Sequence, residues 1–478
     1  MNANNVLEIF KEITKVPRES GHEEQIVKWL QDFAAKHGLE CKTDEAGNVV
    51  IIKEASAGKE NVPTIVLQSH SDMVCEKTAG STHDFTKDPI PYVIEDGWMV
   101  AHETTLGADC GIGMASALGL LISDVPTGKI EALFTVSEET GLDGAMALKP
   151  GFITGKTLIN LDSEDEGQIF VGCAGGLDTT AKFSYKEEDV DPDSVIVEIS
   201  INGCIGGHSG DDINRGRANA VKLLANLLYD LLPLGYQLVS IDGGNKRNAI
   251  ARDARAEIAL PEELVDECLE TVDDFRDAML EMYGTREKNI KLMATVSPMD
   301  DEMVAIDRET ATRLVTALAA APHGVLAMSQ EIENFVETSS NLASVKMTEP
   351  GIIRIGTSQR SCITAARRSA GRKVEACFVQ AGANVEHESE YPGWAPASES
   401  AIRDACVASY KKLFGTEPKV LAIHAGLECG LFTETYPGLD MISVGPTLRG
   451  VHAPGERLEI ASLDKFVLLL TDLVTNFR

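Results

Sequence analysis

Three segments restrict this chain more than any other feature: "TIVLQSHSDMV", "EALFTVSEE" and "TLINLDSED". Each is a near-continuous apolar run that stops abruptly on histidine or carboxylates. An uninterrupted apolar run suits a central strand buried on both faces of a covered sheet. Between the first two runs, "LGADCGIG" opens a segment with Met114, Leu118 and Leu121 on one helical face. Strands alternating with helices predict an α/β domain with a mainly parallel sheet. Ligands of such sheets bind beyond the carboxyl ends of the strands. The polar ends of the three runs therefore fall where a site would form.

A chain of 478 residues needs at least two domains. The opening reads as two helices separated by "VPRESGHEE", with Ser20 and Glu23 spaced as a capping box and Ile26, Leu30 and Phe33 striping the second helix. The character changes near residue 188, after which polar helices such as "PEELVDECLETVDDFRDAMLEMYG" alternate with strands. The order recurs weakly from "IKLMATVSP" onward, with Asn248 and Asn341 at similar points of the two halves. The loop "EYPGWAPASES" marks a return to the first domain. The expected plan is a catalytic domain in two parts, 1–187 and 394–478, with a second α/β domain inserted at 188–393.

Charge and cysteine usage narrow the function classes. A net charge of −31 excludes nucleic acid and an anionic membrane surface as partners. No stretch approaches the roughly 20 apolar residues of a membrane span, and the first residues lack a secretory pattern. The ten cysteines form no C-x-x-C pair, as expected of free thiols in the cytoplasm.

The polar groups at the strand ends are His70 and Asp72, the pair Glu138 and Glu139, Asp162, and His452 in "GVHAPGE". Asp109 joins them from a glycine-bordered loop at a helix start. Singly they read as a core histidine, a solvated strand end, a helix cap and a surface turn. Together, two histidines and several carboxylates without cysteine make the donor set of a hydrolytic zinc, manganese or cobalt site. Two ions use the candidates best: His70, Asp109 and Asp162 for one, and Asp109, Glu139 and His452 for the other, with a shared water whose acidity the metals raise. A carboxylate committed to a cation is a poor base, so Glu139 is expected as a ligand and Glu138 as the general base. Asp72 is expected to orient His70 through its second ring nitrogen.

"HSDMV", "LGADCGIG", "SEETG", "NLDSED", "GGHSG" and "HAPGE" stand in the order found in the di-zinc metallopeptidases that include aminoacylases and cytosolic dipeptidases. Over essentially its whole length the chain resembles the aminoacyl-histidine dipeptidases of that family, and no expected ligand is missing. The resemblance implies a parallel-sheet catalytic domain with an inserted lid that serves dimerisation, and two zinc ions per subunit replaceable by cobalt or manganese. It implies the ligand and base roles given above, with Asp109 bridging. It further implies His208, in "GGHSG", as the donor to the oxyanion, Asn248 as a substrate-positioning residue, Arg360 as the clamp for a C-terminal carboxylate and Gly426 as a backbone contact nearby. Aspartate at 162, where carboxypeptidase-like relatives tend to have glutamate, favours dipeptidase or aminopeptidase action. His424 and Glu428 receive no role.

The function so implied is hydrolysis of dipeptides that have a free N-terminus and a C-terminal carboxylate, Xaa-His or broader, by a cytoplasmic homodimer. The alternatives are an aminoacylase, tripeptidase or carboxypeptidase on the same site, and a metal-binding scaffold without catalysis.

Overall fold

The computed structural model describes residues 1–300 and 303–478, and these divide into two compact units. The first comprises Met1–Cys173, Trp394–Ala422 and Leu427–Arg478.

Its frame is an eight-stranded sheet, in spatial order Glu40–Thr43, Val49–Lys53, Ile130–Thr135, Ile65–His70, Thr157–Asn160, Asp440–Ser443, Gln168–Cys173 and Lys419–Ile423. The central strands Ile130–Thr135, Ile65–His70, Thr157–Asn160 and Asp440–Ser443 run parallel, and the pairing of Val49–Lys53 with Ile130–Thr135 is antiparallel. All residues of Ile65–His70, Ile130–Thr135 and Thr157–Asn160 are buried, as their unbroken apolar character predicts. The helix Ala108–Leu121 packs on Ile65–His70, and Ala3–Ile13 packs on that helix in turn.

The parallel register places His70 opposite Thr135, and Asn160 opposite both Gln68 and Ser443, so the carboxyl ends lie along one edge. A row of fully buried polar side chains pins this register. Thr135 Oγ1 donates to Glu428 Oε2 at 2.9 Å, Gln68 Nε2 donates to the same oxygen at 2.6 Å, and Asn160 Nδ2 donates to Gln68 Oε1 at 2.6 Å. Ser443 Oγ donates to Asn160 Oδ1. A slip of one residue in any of these strands would leave buried polar atoms unpaired, each costing about 1–3 kcal/mol.

A small antiparallel sheet joins Leu448–Arg449, Arg457–Glu459, Trp98–Val100 and Val93–Glu95 in that order. His452 sits in the turn between the first two of these strands, and Trp98–Val100 leads into the loop that carries Asp109.

The second unit comprises Ala174–Gly393 and Ile423–Gly426. It starts earlier than the expected residue 188, because Gly175–Ser184 is a strand of its antiparallel sheet, between Ile352–Ser361 and Asn384–Tyr391. That sheet runs Lys291–Pro298, Ser194–Asn202, Ala254–Pro261, Gln237–Gly244, Val336–Glu349, Ile352–Ser361, Gly175–Ser184 and Asn384–Tyr391, with Gly324–Met328 added beside Val336–Glu349. The repeat is present but divided differently from the sequence reading. Lys291–Pro298 closes the first half instead of opening the second, and Gly175–Ser184 supplies the second half's first strand. Each half then reads strand, helix, two strands, helix, strand, and the halves join where Gln237–Gly244 pairs with Val336–Glu349. Asn248 follows the first of these joining strands whereas Asn341 lies inside the second, so the two are not equivalent.

One core unites both halves: Leu224, Leu228, Val272, Leu314, Val374 and Phe378 from the four helices meet Ile199, Ile258, Ile355 and Phe183 from the sheet. His323 borders this core and accepts a hydrogen bond from Leu342 N at 3.3 Å. Burial, assisted by Lys222, pushes its imidazole down to about 4. Below the ordinary imidazole value the unfolded chain binds a proton that the folded unit excludes. Its stabilisation is therefore complete above pH 6.5 and is lost as pH falls through 4. Replacing His323 with Gln is expected to flatten the decline in unfolding free energy over that interval, measured by urea denaturation at a series of pH values.

Candidate functional site

The sequence-predicted groups of the first unit meet at the carboxyl edge of its sheet. His70 ends its strand, and Asp162 follows Thr157–Asn160. Ser137, in the left-handed region at φ 52°, turns the chain after Ile130–Thr135 into the single helical turn Glu138–Gly141. The glutamate pair is therefore not on an extended strand end. Its side chains diverge because successive residues of a helical turn are about 100° apart.

Asp109 occupies the centre. The helix assigned to Ala108–Leu121 is not helical at Asp109 and Cys110, so the aspartate projects from the turn before the regular helix instead of capping it. Its Oδ1 lies 3.1 Å from His70 Nε2 and its Oδ2 lies 3.0 Å from His452 Nε2. Asp162 Oδ1 stands 3.3 Å from His70 Nε2, and Glu139 Oε1 stands 3.0 Å from His452 Nε2. Both oxygens are buried and, despite these short separations, lie off any hydrogen-bond direction. Buried carboxylate oxygens without a donor are expensive. Cations bound among these groups would satisfy them, so the donor set fits a metal site. Grouped ligand atoms of His70, Asp109 and Glu139, and of His70, Cys110 and Asp162, lie close enough to hold an ion. Cys110 Sγ, however, donates to Leu161 O at 3.3 Å.

The electrostatics agree. Burial works to lower His70, but Asp162, Asp109 and Asp72 hold its imidazole well above the usual range. The neighbouring carboxylates of Asp109 and Glu139 push His452 up to about 11. Burial and Asp109 push Asp162 up to about 6, and burial with Asp109 and Asp162 pushes Glu164 up to about 8. Glu138 is held well above the carboxylate range, first by burial and then by Asp162, Glu428 and Glu139. Crowding thus favours the protonated forms of Glu138, Asp162 and Glu164, whereas the two imidazoles hold the Asp109 carboxyl below the usual range; bound cations would replace those protons.

Asp72 does more than the sequence suggested. His70 Nδ1 is nearer its backbone oxygen, at 3.2 Å, than its carboxylate, at 3.4 Å. The carboxylate accepts from Ser20 Oγ at 2.7 Å and from the backbone N–H groups of Glu138 and Glu139 at 3.1 and 3.2 Å. One aspartate thus positions the imidazole and the glutamate turn together. Ser20 and Glu23 do not form a capping box. Glu23 accepts from Ser137 N at 2.8 Å and Ser137 Oγ at 2.9 Å, and the helix it precedes has no side-chain cap. The site has taken both side chains.

The remaining predicted residues lie in the second unit. His208 pairs with Ala249 in a short ladder, and Ser209 N donates to Asn248 O at 2.8 Å. Asn341, from Val336–Glu349, donates to Arg247 O and Ala249 O at 3.1 and 2.9 Å and so brackets Asn248. The N–H groups of Gly210 and Asp211 engage His208 Nδ1, which also lies 3.3 Å from Asp211 Oδ2. That leaves Nε2 as the nitrogen available to donate outward. Arg360 donates to Tyr391 OH at 3.1 Å, while its buried Nε has no partner. Gly426 lies against the Tyr391 ring; a Cβ there would stand 3.1 Å from it. His424 pairs with Ser339 Oγ at 2.7 Å, its Nδ1 is unsatisfied, and burial with Arg360 pushes it down to about 3. Tyr391, Ser339 and Asp211 were not singled out by sequence, since an isolated tyrosine, serine or aspartate on a strand or loop carries no signal.

Comparison with known proteins follows this geometry. The family model described as Peptidase family M20/M25/M40 matches residues 66–476. The chain is 39% identical over 470 residues to the cytosol non-specific dipeptidase of Escherichia coli (strain K12), covering 98% of this chain and 96% of the relative. It superposes on the crystal structure of aminoacylhistidine dipeptidase from Vibrio alginolyticus with a TM-score of 0.93 at 37% identity, covering 99% of this chain and 96% of that one. The aminopeptidase PepT structure from Bacillus cereus ATCC 10987 shares the fold at a TM-score of 0.62 and 20% identity, over 99% and 98% of the two chains.

Proposed function

The chain belongs to peptidase family M20/M25/M40, and from that premise we propose a broad or Xaa-His dipeptidase that uses two zinc ions and Glu138 as general base. The protein is a metal-dependent peptidase that hydrolyses dipeptides. The observation that carries the finer reading is Asp109, whose two oxygens face two different imidazoles beside the unsatisfied oxygens of Asp162 and Glu139.

His70, Asp109 and Asp162 would hold one ion, and Asp109, Glu139 and His452 the other. When bound, such ions would supply Lewis acidity toward the scissile carbonyl and the attacking water. Glu138 takes a proton from the water as its oxygen adds to the carbonyl carbon, and returns it to the leaving amine as the C–N bond breaks. Its burial among other carboxylates fits a base whose proton affinity lies above that of an ordinary glutamate. Asp72 holds the glutamate turn and His70 in place. In the inserted unit, His208 donates to the oxyanion, Asn248 positions the substrate, Gly426 offers its backbone, and Arg360 binds the C-terminal carboxylate.

The reading includes the cytoplasm and a homodimer. The Escherichia coli relative is named for the cytosol, and among the described residues no helix is long and apolar enough to cross a membrane. The edge strand Lys291–Pro298 leaves Met293 49% and Val296 41% exposed, whereas the opposite edge carries Glu386, Glu388 and Glu390. An open edge with exposed apolar side chains and a single charge, at Lys291, suits pairing with a second copy.

Metal analysis of the purified protein, with Ala-His, β-Ala-His, tripeptides and N-acetylated amino acids as substrates, tests the whole. Preference for tripeptides or acylated substrates would replace it with a sibling activity. Replacing Arg360 with Lys is expected to raise KM for dipeptides about 10- to 100-fold, since hydrogen bonds to a charged group are worth about 1.5–3 kcal/mol. The penalty should vanish for C-terminally amidated dipeptides, and an equal penalty on both would remove Arg360 from the carboxylate.

A further inference from the structure

The site description leaves two fully buried charges unused. Glu456 and Arg18 are each 1% exposed and lie on opposite sides of the loop that delivers Asp109. Glu456 Oε2 accepts the backbone N–H groups of Leu106 and Gly107 at 2.7 and 2.9 Å, and its Oε1 accepts those of Ala108 and Asp109 at 2.8 and 3.2 Å. Four consecutive peptide donors thus converge on one carboxylate. From the other side, Arg18 donates to Gly107 O, to Ser71 O at 3.2 Å and to Asp72 O at 2.7 Å. The loop requires glycine at its centre. Gly107 has φ +67°, and a Cβ on it would run into Arg18 Nη2 and stand 2.7 Å from Met73 Sδ.

We infer that Glu456 and Arg18 are positioning residues that fix Asp109 between His70 and His452, and so set the spacing of the metal ligands. Glu456 lies in the same turn as His452, and its N–H donates to Ala453 O at 3.2 Å. Its carboxylate therefore ties the His452 turn to the Asp109 loop. Arg18 ties that loop in turn to the two residues that follow His70. Three segments distant in sequence are held at ligand distance by two side chains that are not themselves ligands. The chemistry calls for a carboxylate: four inward-pointing donors need four acceptor sites, and an amide would turn its own NH₂ against some of them.

The inference rests on the metal-centre reading, and its test separates the two. Glu131 is the control. It is equally buried and accepts Thr154 N and Gly155 N at 2.7 and 3.0 Å, but it holds a loop remote from the ligands. Wild type, Glu456→Gln and Glu131→Gln are stripped of metal, then titrated with zinc against a chromophoric chelator. Each is also loaded with cobalt for its visible spectrum, and melted. Absence of binding by wild type would fail the metal-centre reading. If wild type binds, both variants are expected to melt lower. Only Glu456→Gln should lose affinity, about 10- to 100-fold as for other groups that orient ligands, with a shifted cobalt spectrum. Equal affinity and an unchanged spectrum in Glu456→Gln, or the same loss in Glu131→Gln, would overturn the clamp. Should Glu456→Gln not fold, Arg18→Lys, which keeps the buried positive charge, takes its place under the same two outcomes.

Discussion

Glu138→Gln is expected to cut kcat on dipeptides by about 100- to 10,000-fold, the usual contribution of a positioned general base, while the protein keeps its metal. The side chain keeps its shape and its place after Ser137, and the turn stays anchored because its backbone N–H groups, not its carboxylate, bond Asp72. What disappears is the capacity to accept a proton. KM should change little, since Glu138 would contribute to the transition state more than to binding. Metal content by elemental analysis and steady-state hydrolysis of a single dipeptide suffice. Near-normal turnover would strip Glu138 of its role, whereas loss of metal would make it a ligand instead.

Asp109→Asn should do more damage by a different route. Both oxygens of Asp109 are committed, one toward each imidazole, and an amide cannot present two anionic oxygens. The expected result is less than one equivalent of bound metal and a fall in activity of about 1,000-fold or more, equivalent to ~4 kcal/mol in the barrier. Asp162→Asn provides the comparison, since Asp162 stands beside His70 and not His452. It should weaken one ion and leave the other. Equal metal content in the two variants would mean that Asp109 does not bridge.

The parts of the fold that could be read from sequence were those decided by local pattern. Central strands such as Ile65–His70 are apolar on both faces, and their polar ends betray the edge of the sheet. The same logic puts His70, Glu138, Glu139 and Asp162 at that edge, and the structure brings Asp109 and His452 beside them. It failed where the answer depends on a distant partner. Gly175–Ser184 carries no mark assigning it to the second unit; only its pairing with Ile352–Ser361 and Asn384–Tyr391 does so. Ser20 and Glu23 satisfy a capping pattern, and nothing nearby in sequence warns that Asp72 and Ser137 will claim them. Glu456 ends the segment "HAPGE", but a carboxylate that accepts four peptide N–H groups looks in sequence like any glutamate after a glycine.

The position of Asp440–Ser443 beside Thr157–Asn160 also bears on biosynthesis. A ribosome-bound chain that has not reached residue 440 carries Thr157–Asn160 as an open flank made of apolar and amide-bearing side chains. Such flanks recruit foreign strands, and the wait is long because the whole inserted unit is translated in between. This half-made sheet should therefore be a chaperone client during translation, and truncations before the closing strand should precipitate instead of accumulating as smaller folded proteins.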